Sequence, residues 1–170
     1  MNAIRLRLTE PKDIADYHRW FSTEKEWTKW DAPWEKVDDA FEARYIEKVR
    51  TKMESGNPDP GRFEIESDGR HIGWVSSYWM APDRTRLAVG IIIAESGCWG
   101  KGIGKQALAK WIDFLFEHRP VSELWCETWS GNVRMVKLAL SSGFLVHEDH
   151  TSVIVEGLSF RRMRFRLQKR

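Results

Sequence analysis

Cysteine is nearly absent from this chain: 170 residues hold two, Cys98 and Cys126, with no CxxC pair. That leaves no disulfide framework and no thiolate metal cluster to organise a fold. No apolar run approaches the roughly 18 residues a transmembrane helix requires, and the longest, Leu87 to Ala94, is of strand length. Charge of one sign is missing too, because 27 Lys and Arg face 25 Asp and Glu, a net charge of +2. Such a balance excludes the basic stripe of a nucleic-acid binder and the acidic tail of a disordered partner. The first residues alternate aliphatic and charged (Ile4, Arg5, Leu6, Arg7, Leu8), unlike the apolar centre of a secretion signal. A reduced, cytoplasmic protein with neither a nucleic-acid nor a membrane partner is therefore expected. Repeats and low-complexity tracts are also lacking, and one domain over residues 1–170 is expected, large enough to bury a core without staples. Tryptophan is what the chain has in surplus: ten residues, four of them between Trp20 and Trp34. An apolar and aromatic surplus of this kind permits a homodimer.

Periodicity sketches the elements. Ile4, Leu6 and Leu8 alternate with polar residues as in a half-buried strand. Thr9 is expected to cap a helix from about Pro11 to Phe21. Residues 24–34, aromatic and acidic, read as an ordered loop or short helix. Phe41, Tyr45, Ile46 and Val49 line one face of a helix from Val37 to about Met53. Ser55 to Gly61 is a turn cluster. Arg62 to Ser67 and His71 to Met80 form a hairpin about Asp68-Gly69. Leu87 to Ala94 is apolar on both faces, the mark of a central strand. A glycine-rich segment and a helix to about Phe116 follow. Glu123 to Trp129 is a strand, and Asn132 to Ser142 a helix ended by Gly143. Phe144 to His150 and Ser159 to Leu167 close the chain as strands. The order implies an α/β domain with a mixed sheet.

Chemistry concentrates in Gly97-Cys-Trp-Gly-Lys-Gly-Ile-Gly-Lys-Gln-Ala-Leu108. Glycines between a buried strand and a helix start let backbone N–H groups approach a ligand, and the helix terminus adds partial positive charge. With Lys101 and Lys105, the segment suits a phosphate or pyrophosphate. It is not a Walker A loop, because Gln106 stands where that motif needs a hydroxyl and Trp99 where it needs glycine. A dinucleotide pattern GxGxxA is present at Gly102, Gly104 and Ala107, but hairpin strands precede it instead of a first βαβ unit.

The segment resembles the acyl-CoA-binding motif of the GNAT superfamily of N-acetyltransferases, Gln/Arg-x-x-Gly-x-Gly/Ala, which maps onto Trp99-Gly-Lys-Gly102-Ile-Gly104. Trp99 departs from the usual first residue. Cys98-Trp-Gly-Lys-Gly is similar to a variant of the ribosomal-protein N-acetyltransferase (RimJ/RimL-type) branch. Arg5-Leu-Arg-Leu-Thr with Asp13-Ile14, Phe63-Glu-Ile with Ile72-Gly73, Val89-Gly-Ile-Ile-Ile93, and Asn132-Val-Arg134 followed by Gly143-Phe144 extend the resemblance over essentially the whole chain. It implies a mixed, mostly antiparallel sheet whose fourth and fifth strands splay apart, with helices on both faces.

The resemblance further implies acetyl transfer from acetyl-CoA to an amine, either a protein N-terminal α-amine or a small molecule. The cradle for the pyrophosphate would be the backbone of Trp99, Gly100, Lys101, Gly102, Ile103, Gly104 and Lys105. The backbone of Ile91, Ile92 and Ile93 would pair with the pantetheine arm, and Asn132 and Arg134 would contact the cofactor. Asn132 also suits an N-cap, and Arg134 a surface cation.

An ammonium must lose a proton before attack. Glu127, on one strand face with Trp125 and Trp129, is the favoured base, with Glu95 second. The family often places a Tyr seven residues after the Asn as proton donor to the departing thiolate. Here that residue is Ala139. Ser142, one turn on, is the nearest hydroxyl, and the loss of the Tyr raises the alternative of a CoA-binding module without chemistry. Trp27, Trp30, Asp31 and Trp34, with Glu24 and Glu26, suit an aromatic and acidic cage for the acceptor, and equally core aromatics beside solvated acids. No metal is expected. In His147-Glu-Asp-His150 strand alternation splits the cluster between two faces.

Overall fold

A computed structural model describes residues 3–56, 61–147 and 151–169. Its elements are β1 (Ile4–Arg7), α1 (Asp13–Ser22), a 3₁₀ helix (Lys25–Lys29), α2 (Asp39–Glu54), β2 (Arg62–Ser67), β3 (Arg70–Trp79) and β4 (Leu87–Ile93). A 3₁₀ turn (Ser96–Cys98) leads into α3 (Ile103–His118), β5 (Glu123–Trp129), α4 (Val133–Ser141), β6 (Leu145–His147), β7 (Ser152–Val155) and β8 (Leu158–Gln168). The sheet runs β1-β2-β3-β4-β5-β8-β6, with β7 folded back on β8. Neighbours are antiparallel except β4 and β5. This is the mixed α/β sheet expected. None of the described helices is long and apolar enough to cross a membrane.

Each face of the sheet carries its own apolar cluster. On one, α3 buries Ile103, Ala107, Leu108, Trp111, Ile112 and Leu115 against Ile65, Val75, Val89 and Leu124. Each fully buried aliphatic side chain there contributes roughly 1.5–3 kcal/mol. Trp111 donates from Nε1 to the Ser76 carbonyl at 2.9 Å, which removes the cost of burying its one polar atom. On the other face, α1 presents Tyr17, Trp20 and Phe21, and the 3₁₀ helix presents Trp27. These rings pack with Trp74, Ile46 and Val49. Asp68 and Gly69 both adopt positive φ (50° and 79°), so the β2–β3 hairpin turns where the sequence places it.

Three details differ from expectation. Thr9 does not cap α1; its hydroxyl donates to Glu64 Oε1 at 2.6 Å instead. The first turn of α1 is held by Asp13, whose Oδ2 accepts from the Glu10 N–H at 2.8 Å. The final strand begins at Leu158 and gains a hairpin partner, β7, that alternation did not reveal. Among the described residues the strand expected from Phe144 covers only Leu145–His147; residues 148–150, with the Glu, Asp and second His of the His147 cluster, lie outside them. So does part of the Ser55–Gly61 turn.

Beside α1 runs a buried chain of charges. Arg7 holds both Asp13 oxygens, at 2.7 and 2.8 Å, and Glu66 at 2.8 Å. His71 reaches Asp16 from Nδ1 and Glu64 from Nε2, each at 3.0 Å. Glu64 also accepts from Tyr17 (2.6 Å), Thr9 and Arg62 (3.2 Å). Burial alone would raise the Glu64 carboxyl, but Arg62, His71 and Thr9 outweigh it and bring it down to about 2. Burial would likewise lower His71, and its acidic neighbours instead hold it above the usual imidazole value. Asp13, Asp16 and His71 converge closely enough to ligate a metal. The Arg7 fork already occupies Asp13, and Glu64 occupies the far nitrogen of His71.

Candidate active site

The parallel strands β4 and β5 pair only at Leu87↔Leu124 and Ala88↔Trp125. Beyond those residues β4 stays bonded to β3, and β5 to β8, while their facing edges part. A cavity of about 770 Å³ fills the wedge. Gly90 to Ile93 form one wall, and Glu127 and Thr128 the other.

At the end where β4 stops, the chain turns through Gly100 and Gly102, with φ of 74° and 76°, into α3. Only glycine takes that conformation without strain. The first N–H groups of α3 have no partner within the helix and open toward the cavity beside Gly102, Ile103, Gly104 and Lys105. That is an anion-binding arrangement. Gly104 packs close: a Cβ there would sit 3.5 Å from Ile93 Cδ1. Trp99, the departure from the motif, donates from Nε1 to the Ile93 carbonyl at 2.7 Å and so fastens the loop to the end of β4. The Arg134 guanidinium lies 4.4 Å from the ring centres of both Trp99 and Trp30. This cation–π sandwich bridges the glycine loop and the segment after the 3₁₀ helix.

Asn132 performs the capping role, its Oδ1 accepting from the Met135 N–H at 3.0 Å. Its Nδ2 donates to the Trp30 carbonyl at 2.6 Å, and Trp129 Nε1 donates to the same oxygen at 3.0 Å. Asp31 is thereby held at the cavity. Asp31 is exposed by surface area, yet the protein atoms around the cavity partly shield its carboxyl, and this shielding, with the Glu35 charge added, raises it to about 6. Glu127 also lines the cavity, but Arg164 donates to it from Nε at 2.7 Å and the Tyr78 hydroxyl lies 3.4 Å away. Burial and the Glu127 charge push the Tyr78 phenol up, so it keeps its proton at neutral pH.

The cavity thus gathers Ile91, Ile92, Ile93, Trp99, Gly100, Gly102, Ile103, Gly104, Lys105, Asn132, Arg134, Glu127, Trp30 and Asp31. It does not gather four other expected residues. Lys101 points to solvent between the two positive-φ glycines. Trp34 packs edge-on against Trp129, 6.4 Å between centres. Glu95 is bound by Arg19 at 2.5 Å and by Trp20 Nε1 at 2.9 Å. Ser142 is turned away with its hydroxyl buried and unpartnered, and Ser141 borders the cavity instead. Helical phase explains the exchange: Leu138 and Ser141 share the cavity side of α4, whereas Ala139 faces the core. Trp74, Ser76 and Tyr78 were missed as lining residues. Their i, i+2 spacing on β3, opposite Ile92, Gly90 and Ala88, was the signal that could have found them.

A model of the acetyltransferase (GNAT) domain matches residues 3–145. The chain belongs to the GNAT family. No curated protein matches it in sequence. Among solved structures, this GNAT chain is similar to the microcin C7 self-immunity acetyltransferase MccE in complex with acetyl-CoA and AMP. The TM-score is 0.75 and the identity 18%, covering 98% of this chain and 92% of the other. It is similar to spermidine N-acetyltransferase from Vibrio cholerae in complex with CoA and spermine, with a TM-score of 0.72, 20% identity, and 97% and 95% covered. It is also similar to RimL, the ribosomal L7/L12 α-N-protein acetyltransferase, in complex with coenzyme A. There the TM-score is 0.73 at 15% identity, with 97% and 93% covered. The GNAT fold accounts for the splayed strands and the glycine loop meeting in one cavity.

Proposed function

We propose that this protein is an acetyl-CoA-dependent N-acetyltransferase that moves an acetyl group to a primary amine by direct attack in a ternary complex. One observation carries the reading: the unpaired inner edges of β4 and β5 open onto the glycine loop at the start of α3, inside a single cavity. Neighbouring structures that hold acetyl-CoA or CoA in the same fold support it.

Acetyl-CoA supplies the acetyl thioester. The N–H groups from Trp99 to Lys105 hold its anionic end, with Lys105 adding charge. The free edge of Ile91 to Ile93, apart from the Ile93 carbonyl that Trp99 holds, offers main-chain donors and acceptors to an extended amide arm, as an added strand would use them. A main-chain N–H on that edge also suits an oxyanion. Arg134, fixed between Trp30 and Trp99, keeps the two ends of the cavity in register. Of the two glutamates considered as the base, Glu127 is the one on the cavity wall, with Arg164 bound to it. The acceptor, a small-molecule amine or a protein N-terminus, enters on the Trp30 and Asp31 side. The two cysteines, both free thiols, fit a cytoplasmic setting.

The test is a titration of acetyl-CoA, CoA and NADH followed by tryptophan fluorescence, with Trp99 as reporter. Saturable binding of both CoA species is expected. It should be lost in Gly104→Asp and Gly102→Asp proteins whose circular dichroism is native. Well-folded wild-type protein that ignores CoA would overturn the reading.

A further inference from the structure

We infer that the acceptor is a compact amine with one positive charge on an apolar or aromatic body, and that Asp31 is the carboxylate that receives that charge. The inference rests on the acetyltransferase reading above and narrows its substrate.

Three observations converge. The first is that Asp31 stands alone: its carboxylate has no hydrogen bond or ion pair with any described residue. Glu127 and Glu95 are held by Arg164 and Arg19. A carboxylate that lines the cavity without a partner is free to take up a cation there. The second is that the backbone beside Asp31 is fixed. Asn132 and Trp129 both donate to the Trp30 carbonyl, and Arg134 stacks on the Trp30 ring, so the carboxylate is presented from a pinned position. The third is the surface around it. Trp27, Phe41, Tyr45 and Trp74 line that part of the cavity and pack on one another. Trp27 and Trp74 meet edge-on at 5.4 Å, Tyr45 lies tilted to Trp74 at 5.8 Å, and Phe41 stacks on Tyr45 at 6.1 Å. Packed rings make a stiff apolar floor that accepts a hydrocarbon body and favours a cation near its rings.

The same surface argues against two other acceptors. A polyamine brings further ammonium groups, each needing a carboxylate once it leaves water. The cavity lining holds two carboxylates, Asp31 and Glu127, and Glu127 already answers Arg164. A peptide N-terminus brings amide groups that need donors and acceptors. The β4 edge that could supply them is the one the cofactor arm takes, and the floor beside Asp31 offers rings.

The experiment uses the full chain with three probes: 2-phenylethylamine, spermidine and an unblocked tetrapeptide. Binding to CoA-loaded protein is read by calorimetry, and turnover with acetyl-CoA by thiol release. The expected result is a kcat/KM for 2-phenylethylamine at least 10-fold above either rival. In Asp31→Asn protein its Kd should weaken at least 10-fold while the Kd of CoA is unchanged. A preference for spermidine or the tetrapeptide, no detectable binding of 2-phenylethylamine, or an unaltered amine Kd in Asp31→Asn would overturn the inference. CoA binding is measured separately on each protein. Its absence from wild type would overturn the acetyltransferase reading itself, and its presence beside any of those three results would overturn only the acceptor class.

Discussion

Glu64 and Asp31 border the same aromatic cluster, Glu64 from β2 and Asp31 from the loop after the 3₁₀ helix. Glu64 is fully buried, and Tyr17, Thr9, Arg62 and His71 all address its oxygens. Asp31 is exposed and borders the cavity, and no described side chain addresses it. Their carboxyls move in opposite directions, to about 2 and to about 6. The first region uses charge to fasten α1 to the sheet. The second leaves charge unanswered where a ligand can answer it. A partnered acid in a wall and an unpartnered one in a cavity are told apart by their neighbours and not by their residue type.

Removing Glu64 should give the largest effect. Glu64→Ala strands Arg62 without its counter-ion and leaves His71 Nε2 unanswered, and breaking a buried pair costs about 3–5 kcal/mol. Thermal denaturation should show a fall of roughly 10–15 °C in Tm for a domain of this size. A loss below about 1 kcal/mol would mean that the network is ornamental.

The pH dependence of stability comes next. Glu64 and Asp13 have lowered folded values, so their contribution is present above the ordinary carboxylate range and is lost as pH falls through the folded values. His71 has a raised folded value, so its contribution is present below the ordinary imidazole value and is lost as pH rises through the folded one. Urea midpoints should therefore peak between about pH 4.5 and 6.5. The alkaline fall should disappear in His71→Gln protein, whose midpoint should be low throughout.

Arg134→Ala probes the bridge between the two ends of the cavity. Losing a cation held between two rings should cost about 1–2 kcal/mol in stability and weaken CoA binding. Chemical denaturation and the fluorescence titration measure the two effects. An Arg134→Ala protein that binds CoA as wild type does would show that the two ends act independently.

The smallest expected change has the opposite sign. Asp31→Asn removes an acid whose raised value disfavours the charged form at neutral pH, so Tm should rise by up to about 2 °C at pH 7. The gain should vanish below pH 4, where the wild-type carboxyl is protonated. A fall in Tm at pH 7 would reveal a partner for Asp31 and erase the contrast with Glu64.

Local signals were legible in advance. The glycine loop could be read because glycines, a preceding apolar strand and a helix start lie within a dozen consecutive residues. Asn132 was legible as a cap, and the Asp68-Gly69 turn as a hairpin, for the same reason. The apolar face of α3 followed from its spacing. Partners distant in the chain were not legible. Glu127 looked like a free base until β5 paired with β8 and set Arg164 opposite it. Glu95 looked available until α1 brought Arg19 and Trp20 onto it. Ser142 was one residue out because Ala139 packs into the core and so decides which side of α4 faces the cavity.

By itself, the amino-acid sequence determined the family, the order of the elements and the backbone that can meet a phosphate. Each depends on residues close together in the chain, where steric rules and periodicity act without outside help. The tertiary structure alone decided which acids are answered and which are not. It set the exposed Arg134 guanidinium between two tryptophan rings, and left Asp31 on the cavity wall with no partner among the described residues. Electrostatic character belongs to a side chain's neighbours, and strand register and helix docking choose those neighbours across the length of the chain.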